Sequence, residues 1–383
     1  MTEDERRAWA YLCRVAEAPN PRIAVLVQTV GVVEAAERVR RRDLPDAKLL
    51  AATEARHGVD CAREDLAVLD RLGGRLVTPA DDEWPVMAFS SFDGVDTTTR
   101  PQGYAPLALW VLGPSSLAEI PYRAAALVGT RAASDYGEYA AADLAAGLVE
   151  REVAVVSGGA YGIDGAAHRA VLSCDGATVA VVASGVDVPY PSGHSALLHR
   201  VARHGLVVSE YPPGSRPCRR HFLARNRLIA ALSGATVVVE AGIRSGAANT
   251  AAWAKALGRN VCAVPGPITS ASSVGCHELL KNDATTHLVT RAEEIVELVG
   301  DYGEFAAEQP RPRTAVDGLS ADELAVYEAL PGRGTRAVDQ IAVAAGMPET
   351  AVIGQLTMLD IRGLVTQQDG EWKVRRPGNP PTP

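Results

Sequence analysis

The sequence predicts a doubly wound α/β protein, and three observations carry that expectation. Between about 106 and 300, short β-prone apolar runs recur: AALVGT, VAVVSG, TVAVVASG, GLVVSE, ATVVVEA, NVCAVPG and THLVT. Most of the segments between them are long enough for a helix, the arrangement that gives a mostly parallel sheet covered on both faces. Three strand-to-helix turns are rich in glycine and small residues: VGTRAASDYG (128–137), SGGAYGIDGAAH (157–168) and VEAGIRSGAANTAAWAKALG (239–258). In a parallel sheet such turns share one edge, where ligands bind.

The flanks differ from this core. Residues 1–103 read as a mainly helical N-terminal domain. ERRAWAYLCRVAEA and VVEAAERVRRR carry helical spacing of apolar residues, and DLAVLDRLGGRLVTPADDEWP reads as helix, Gly-Gly stop, short strand and turn. FDGVDTTTRPQG (92–103) reads as a loop. The core is expected over 104–300, a Pro-containing polar linker over 301–318 and a disordered tail over 377–383. Between them, 319–376 holds three helical patterns and a hairpin turning at Asp369-Gly370, the signature of a winged helix.

Composition narrows the function. The chain has 383 residues, 47% hydrophobic and 22% charged, enough to build a core without disulfide or metal staples. None of its six cysteines forms a C-x-x-C or has His at zinc-site spacing, so reduced thiols, a cytoplasmic location and no metal are expected. MTEDERRAWAY has no signal-peptide core, and no apolar run approaches the ~18–20 residues of a membrane span. There is no G-x-x-x-x-G-K-[ST], which excludes a P-loop ATPase, and no cofactor is implied. A net charge of −8 argues against a general polyanion binder, so any such work falls to a local basic patch.

That patch is RPCRRHFLARNR (216–227). Arg216, Arg219, Arg220, Arg225 and Arg227 surround Phe222, and the nearest acids in sequence are Glu210 and Glu240. Grooves for single-stranded nucleic acid combine cations that track the backbone with aromatics that stack on bases. The alternative is a helix-start staple at Phe222 with solvated arginines around it.

The glycine turns add candidate phosphate contacts: Gly129, Thr130, Arg131 and Ser134 from the first, Gly158, Gly159 and Gly162 from the second, Ser245 and Gly246 from the third. Glycines let backbone approach a phosphate, and helix N-termini offer free N–H groups. Arg131 fits either a bidentate phosphate grip or a pair with Asp135. Asp164 and His168, four apart on one helix face, fit a ligand pair, but capping and local satisfaction is the favoured reading. Glu240 fits a ribose or base carboxylate and a helix cap equally.

The winged helix argues against duplex DNA. Between 317 and 376 six bases face nine acids, and its third helix, PETAVIGQLTMLD, contains no base. A protein-contact or regulatory module fits these charges better, with weak DNA contact through the wing as the minor alternative.

VGTRAASDYG, SGGAYGIDGAAHRAVL, SGVDVPYPSGHSALL, VSEYPPG, HFLARNRLIAALS, VVVEAGIRSGAANTAAWAKALGRNVCAVPG and GCHELLKNDA together resemble the DNA-processing protein A family, also called Smf, over about 105–290. The resemblance implies an extended Rossmann-like domain, a SAM or helix-hairpin-helix-like N-terminal domain and a homodimer formed through the Rossmann domain. It implies a DNA-binding recombination mediator rather than an enzyme. Such a protein protects incoming single-stranded DNA and helps load a RecA-type recombinase past single-strand-binding protein during natural transformation. The family's basic positions fall on Arg131 and Arg219, its stacking aromatic on Phe222, and its Arg-Asn-Arg core on Arg225, Asn226 and Arg227. Leu223 stands where the family commonly has proline. The same fold occurs in nucleoside-monophosphate phosphoribohydrolases, an alternative that EAGIRSGAANT disfavours because it lacks their Pro-Gly-Gly-x-Gly-Thr segment.

Overall fold

The structure is a computed structural model and describes residues 1–243, 245–300, 303–304 and 316–375. Nine strands form one sheet in the order β1-β2-β6-β5-β4-β3-β7-β8-β9. They are β1 (Arg75–Val77), β2 (Leu109–Leu112), β3 (Ala124–Gly129), β4 (Ala154–Ser157), β5 (Thr178–Val181), β6 (Leu206–Ser209), β7 (Ala235–Glu240), β8 (Asn260–Ala263) and β9 (Thr286–Leu288). From β3 to β9 every pairing is parallel, and β2 and β1 extend the β6 edge antiparallel. The chain builds β3 to β6 outward in one direction, then returns to lay β7 on the other side of β3. The topological switch point therefore lies between β3 and β7, where such sheets open a crevice at the strands' carboxyl ends.

The helices of the first hundred residues are α1 (Glu3–Val15), α2 (Pro21–Val30), α3 (Val32–Arg41), α4 (Ala47–Thr53), α5 (Ala62–Arg71) and α6 (Val86–Phe89). Those of the core are α7 (Asp135–Val149), α8 (Ile163–Ser173), α9 (Ser195–His204), α10 (Arg219–Ala231), α11 (Gly246–Ala256), α12 (Val274–Asn282) and α13 (Ala292–Val299). Alternation along β3 separates the layers. Ala124, Ala126 and Val128 pack toward α10, α11 and α12, and Ala125 and Leu127 toward α7, α8 and α13.

The structure joins what the sequence reading divided at 103. β1 pairs with β2, and α1 to α5 pack on Trp110, Ala180, Val182 and Val207 of the sheet. On the opposite face Trp84, Phe89 and Phe92 enter the core beside α10 and α11. Arg14 of α1 grips Asp65 of α5 with two 2.6 Å bonds and donates to Pro213 O at 2.7 Å. Met1–Ala306 is one compact unit for these reasons.

The second unit is a winged helix: α14 (Ala321–Glu328), α15 (Val338–Ala345), α16 (Glu349–Ile361), β10 (Val365–Gln368) and β11 (Glu371–Val374). A Ser320–Glu323 capping box starts α14, and Gly346 in the left-handed region ends α15. Asp369 and Gly370 have φ of 51° and 85°, so two successive positive φ values close the hairpin as a I′-type turn requires. Most of the expected linker and the whole of the expected tail lie outside the described residues.

Candidate nucleic-acid interface

The cleft at the switch point holds about 620 Å³ and is lined from β3, α10 and the turns after β3, β4 and β7. α10 dictates which arginines reach it. This helix leaves the ligand edge after β6 and runs beneath the sheet to β7, so its first turn emerges at the cleft while its later turns enter the core. Arg219 and Arg220 are exposed, and residues Ala224–Ala231 are all buried. Arg216, just upstream, is also exposed.

At the mouth, the Arg131 guanidinium lies 4.9 Å from the centre of the Phe222 ring, in cation–π geometry. The Tyr190 ring lies 5.6 Å from Phe222 on the loop after β5. Cation and rings thus form one cluster, with Phe222 half-buried and Tyr190 and Arg131 exposed. Arg131, Arg216, Arg219 and Arg220 have no acid partner among the described residues. His221 turns toward the N-terminal helices. It stacks on Tyr211 at 3.9 Å, and its Nε2 lies 2.7 Å from Glu17 Oε1. This fastens the arginine segment to α1's end of the molecule.

The remaining candidates form the cleft's floor or frame. Arg225 is buried and donates to Gly158 O at 2.7 Å and to Val181 O. Burial pulls its guanidinium down to about 10, with Asp164 opposing that shift and Arg131 adding to it. Asn226 donates to Asn249 Oδ1 at 3.1 Å. Arg227 is fully buried, which corrects the expectation that the segment's arginines await phosphates. Its Nη2 donates to Glu210 Oε1 at 2.7 Å, its Nε to Tyr104 O at 3.0 Å and its Nη1 to Ala224 O at 3.1 Å. The acid is Glu210, immediately after β6.

Most of the glycines also answer to the protein's own packing. A Cβ on Gly129 would strike Ile163 and Glu240 O, on Gly158 the Arg225 guanidinium, and on Gly162, at φ 72°, Thr130 O. Gly159, at φ 69°, makes the turn itself. Gly246 is different: it opens α11 with free space around it, so backbone at that N-terminus faces the cleft. Ser245 caps α11 through Ala248 N at 3.3 Å and also lines the cleft. Thr130 lines it too, with its own N–H donated to Glu240 O at 2.7 Å.

The carboxylates nearby are engaged. Ser134 caps α7 through Gly137 N and donates its hydroxyl to Glu240 Oε1 at 2.7 Å. Glu240 also accepts from Ser134 N at 2.9 Å and Ser272 Oγ at 2.6 Å. Burial pushes the Glu240 carboxyl up, but these bonds outweigh it and hold it below the usual carboxylate range. Asp164 accepts from Gly158 N at 3.1 Å and Ala160 N at 3.4 Å, fixing the second turn, and burial raises its pKa. His168 does not face Asp164's partners. Its Nδ1 lies 2.7 Å from Thr178 Oγ1, which itself donates to Val155 O, so Nδ1 is the donor in this bond. Burial lowers its pKa to about 3.

Tyr190, His221 and Glu17 escaped the sequence reading. Tyr190 had a signal, since the loop after β5 shares the edge of the glycine turns. Glu17 had none, because only the fold brings the segment after α1 beside His221 of α10.

Fold and cleft define a Rossmann-type binding protein with an appended winged helix. The chain belongs to the DNA recombination-mediator protein A family, whose model matches residues 75–300, and the DprA winged helix domain matches 309–371. A Mycobacterium tuberculosis chain named as a DNA processing protein DprA is 60% identical over 99% of this chain and 96% of its own length. The crystal structure of DNA processing protein A from Streptococcus pneumoniae superposes with a TM-score of 0.60 at 29% identity, covering 77% of this chain and 97% of that one. The Helicobacter pylori protein, whose structure is described for its single-stranded DNA binding mode, gives 0.50 at 26% identity over 58% of this chain and 94% of that one.

Proposed function

We propose that this protein binds single-stranded DNA in the switch-point cleft, with bases stacking at Phe222 and Tyr190 and phosphates held by Arg131, Arg219, Arg220 and the α11 N-terminus at Ser245–Gly246. Gly129 and Thr130 line the path. Ser134, Gly158, Gly159, Gly162, Arg225, Asn226 and Arg227 hold its shape. The observation that carries this reading is the cluster of exposed, acid-free arginines around an accessible aromatic pair. Stacking is tolerant of sequence because every base has a π-face, which suits a mediator that must accept any strand. Family membership supports the wider role: a cytoplasmic, non-enzymatic homodimer that protects incoming strands and helps load a RecA-type recombinase past single-strand-binding protein in natural transformation.

The test is fluorescence anisotropy with labelled oligo-dT, competed by duplex DNA and by AMP, on wild type and Arg219→Glu. The proposal expects tight binding, weak competition by both, and loss in the variant. Displacement by AMP would turn the cleft toward nucleotide chemistry.

A further inference from the structure

The amino edge of the sheet, opposite the cleft, carries a second hollow of about 440 Å³. It is enclosed by α6 and the residues before it, by the segment leading into β3, and by Arg259, which immediately precedes β8. Its rim is apolar. Val86, Met87 and Tyr122 are 62%, 70% and 74% exposed. Pro85 and Pro121 line the same hollow. Single exposed apolar side chains are ordinary, but three large ones around one concavity mark a contact surface.

Arg259 gives that surface a chemical demand. It is half-buried, and its Nη2 makes one long bond, 3.4 Å, to Ala88 O. Its Nε is shielded from solvent and has no partner. Among the described residues no carboxylate forms an ion pair with it, Asp82 on the rim included, and burial lowers its pKa. A guanidinium offers a planar fork of donors matched to a carboxylate, and desolvating it without one is unfavourable. The guanidinium thus presents donors suited to an anion, beside exposed apolar side chains suited to an apolar group.

We propose that this hollow captures the free C-terminus of a partner polypeptide, its α-carboxylate on Arg259 and its apolar last side chain against Val86, Met87 and Tyr122. Only a C-terminal residue carries both groups on one residue, and capture of terminal carboxylates is a recurrent recognition mode. The volume lies within the range of small-ligand pockets. β3 has six residues, so at about 3.3 Å per residue the hollow and the DNA cleft stand roughly 17 Å apart along the strand. A partner docked here leaves the cleft open.

The experiment uses the full chain and a fluorescein-labelled peptide, Gly-Ser-Gly-Asp-Leu-Phe, as free acid and as C-terminal amide, followed by anisotropy. The free acid binds, and the amide binds about tenfold or more weakly, as loss of a charge-assisted bond implies. Arg259→Gln abolishes the difference between acid and amide. Met87→Asp, at an exposed position, weakens both peptides. Binding of oligo-dT stays unchanged in both variants, which separates this site from the cleft and reports an intact fold. Equal binding of acid and amide to wild type, or no saturable binding of the acid at millimolar concentration, overturns the proposal. So does a wild-type dimer that Met87→Asp converts to monomer in sedimentation, which would make the patch a contact between copies.

Discussion

Arg219 and Arg227 lie eight residues apart on one helix and have opposite surroundings. Arg219 stands exposed at the cleft with no acid paired to it among the described residues. Arg227 is fully buried, paired with Glu210 and bonded to two carbonyls. Residue type does not decide between these fates. Depth along α10 does, because the helix begins at the ligand edge and ends under the sheet. The contrast teaches that a basic run can be a binding surface at one end and a structural tie at the other. The same substitution made at both places separates the two.

Arg227→Met is expected to have the largest effect. It leaves Glu210 buried without its counter-charge and two carbonyls without their donor, a loss of about 3–5 kcal/mol in urea unfolding. Arg219→Met should stay within about 0.5 kcal/mol of wild type in the same measurement, while oligo-dT affinity falls. A mild Arg227→Met would mean that the buried pair adds little to the fold. Phe222→Ala comes next. It should weaken oligo-dT binding by about 1–3 kcal/mol with the unfolding midpoint unchanged. Tyr190→Ala on top of it should cost less than Tyr190→Ala alone if the two rings act as one platform. Unchanged affinity in folded Phe222→Ala would remove that ring from the site.

The sequence showed the parallel sheet, its ligand edge and the winged helix because these rest on local patterns: apolar runs, glycine turns and an Asp-Gly hairpin. It showed the cleft's mouth for the same reason, since Arg131, Arg219 and Phe222 follow turns on one edge. It did not show depth. Leu228–Ala231 is a clue that α10 dives into the core, yet Glu210 as the partner of Arg227 appears only once β6 and α10 are packed. The glycines teach a similar point. Gly158 reads as room for a phosphate, but its missing Cβ makes room for Arg225. The continuity across 103 was invisible because antiparallel edge pairing by β1 depends on a strand more than thirty residues away in sequence.

The buried layer beneath the cleft also carries a pH signature that the exposed arginines lack. His168 has its pKa depressed to about 3, from 6.5 when unfolded. The folded state therefore excludes a proton that the unfolded state binds. Its contribution is complete above about pH 6.5 and is lost as pH falls from there toward 3. Stability should drop by up to about 1.4 kcal/mol per pH unit in that window from this group alone. Urea unfolding of wild type and His168→Gln at pH 7.0 and 5.0 checks it. The variant should show a shallower dependence, and equal slopes would mean that other groups dominate.

The smallest effect is the most specific to the comparison. Each phosphate neutralised on a single strand contributes about −0.7 to the slope of log K against log salt. If the cleft engages about four phosphates, the wild-type slope is about −3. Arg219→Gln should flatten that slope by about 0.7, a change that loss of folded protein cannot mimic, because inactive molecules lower the amplitude and not the salt dependence. Arg227→Met, measured where it remains folded, should keep the wild-type slope, since a guanidinium bonded to Glu210 and shielded from solvent releases no counterion. Equal flattening by both variants would mean that Arg227 reaches the strand through a rearranged α10, and the division drawn along that helix would fail.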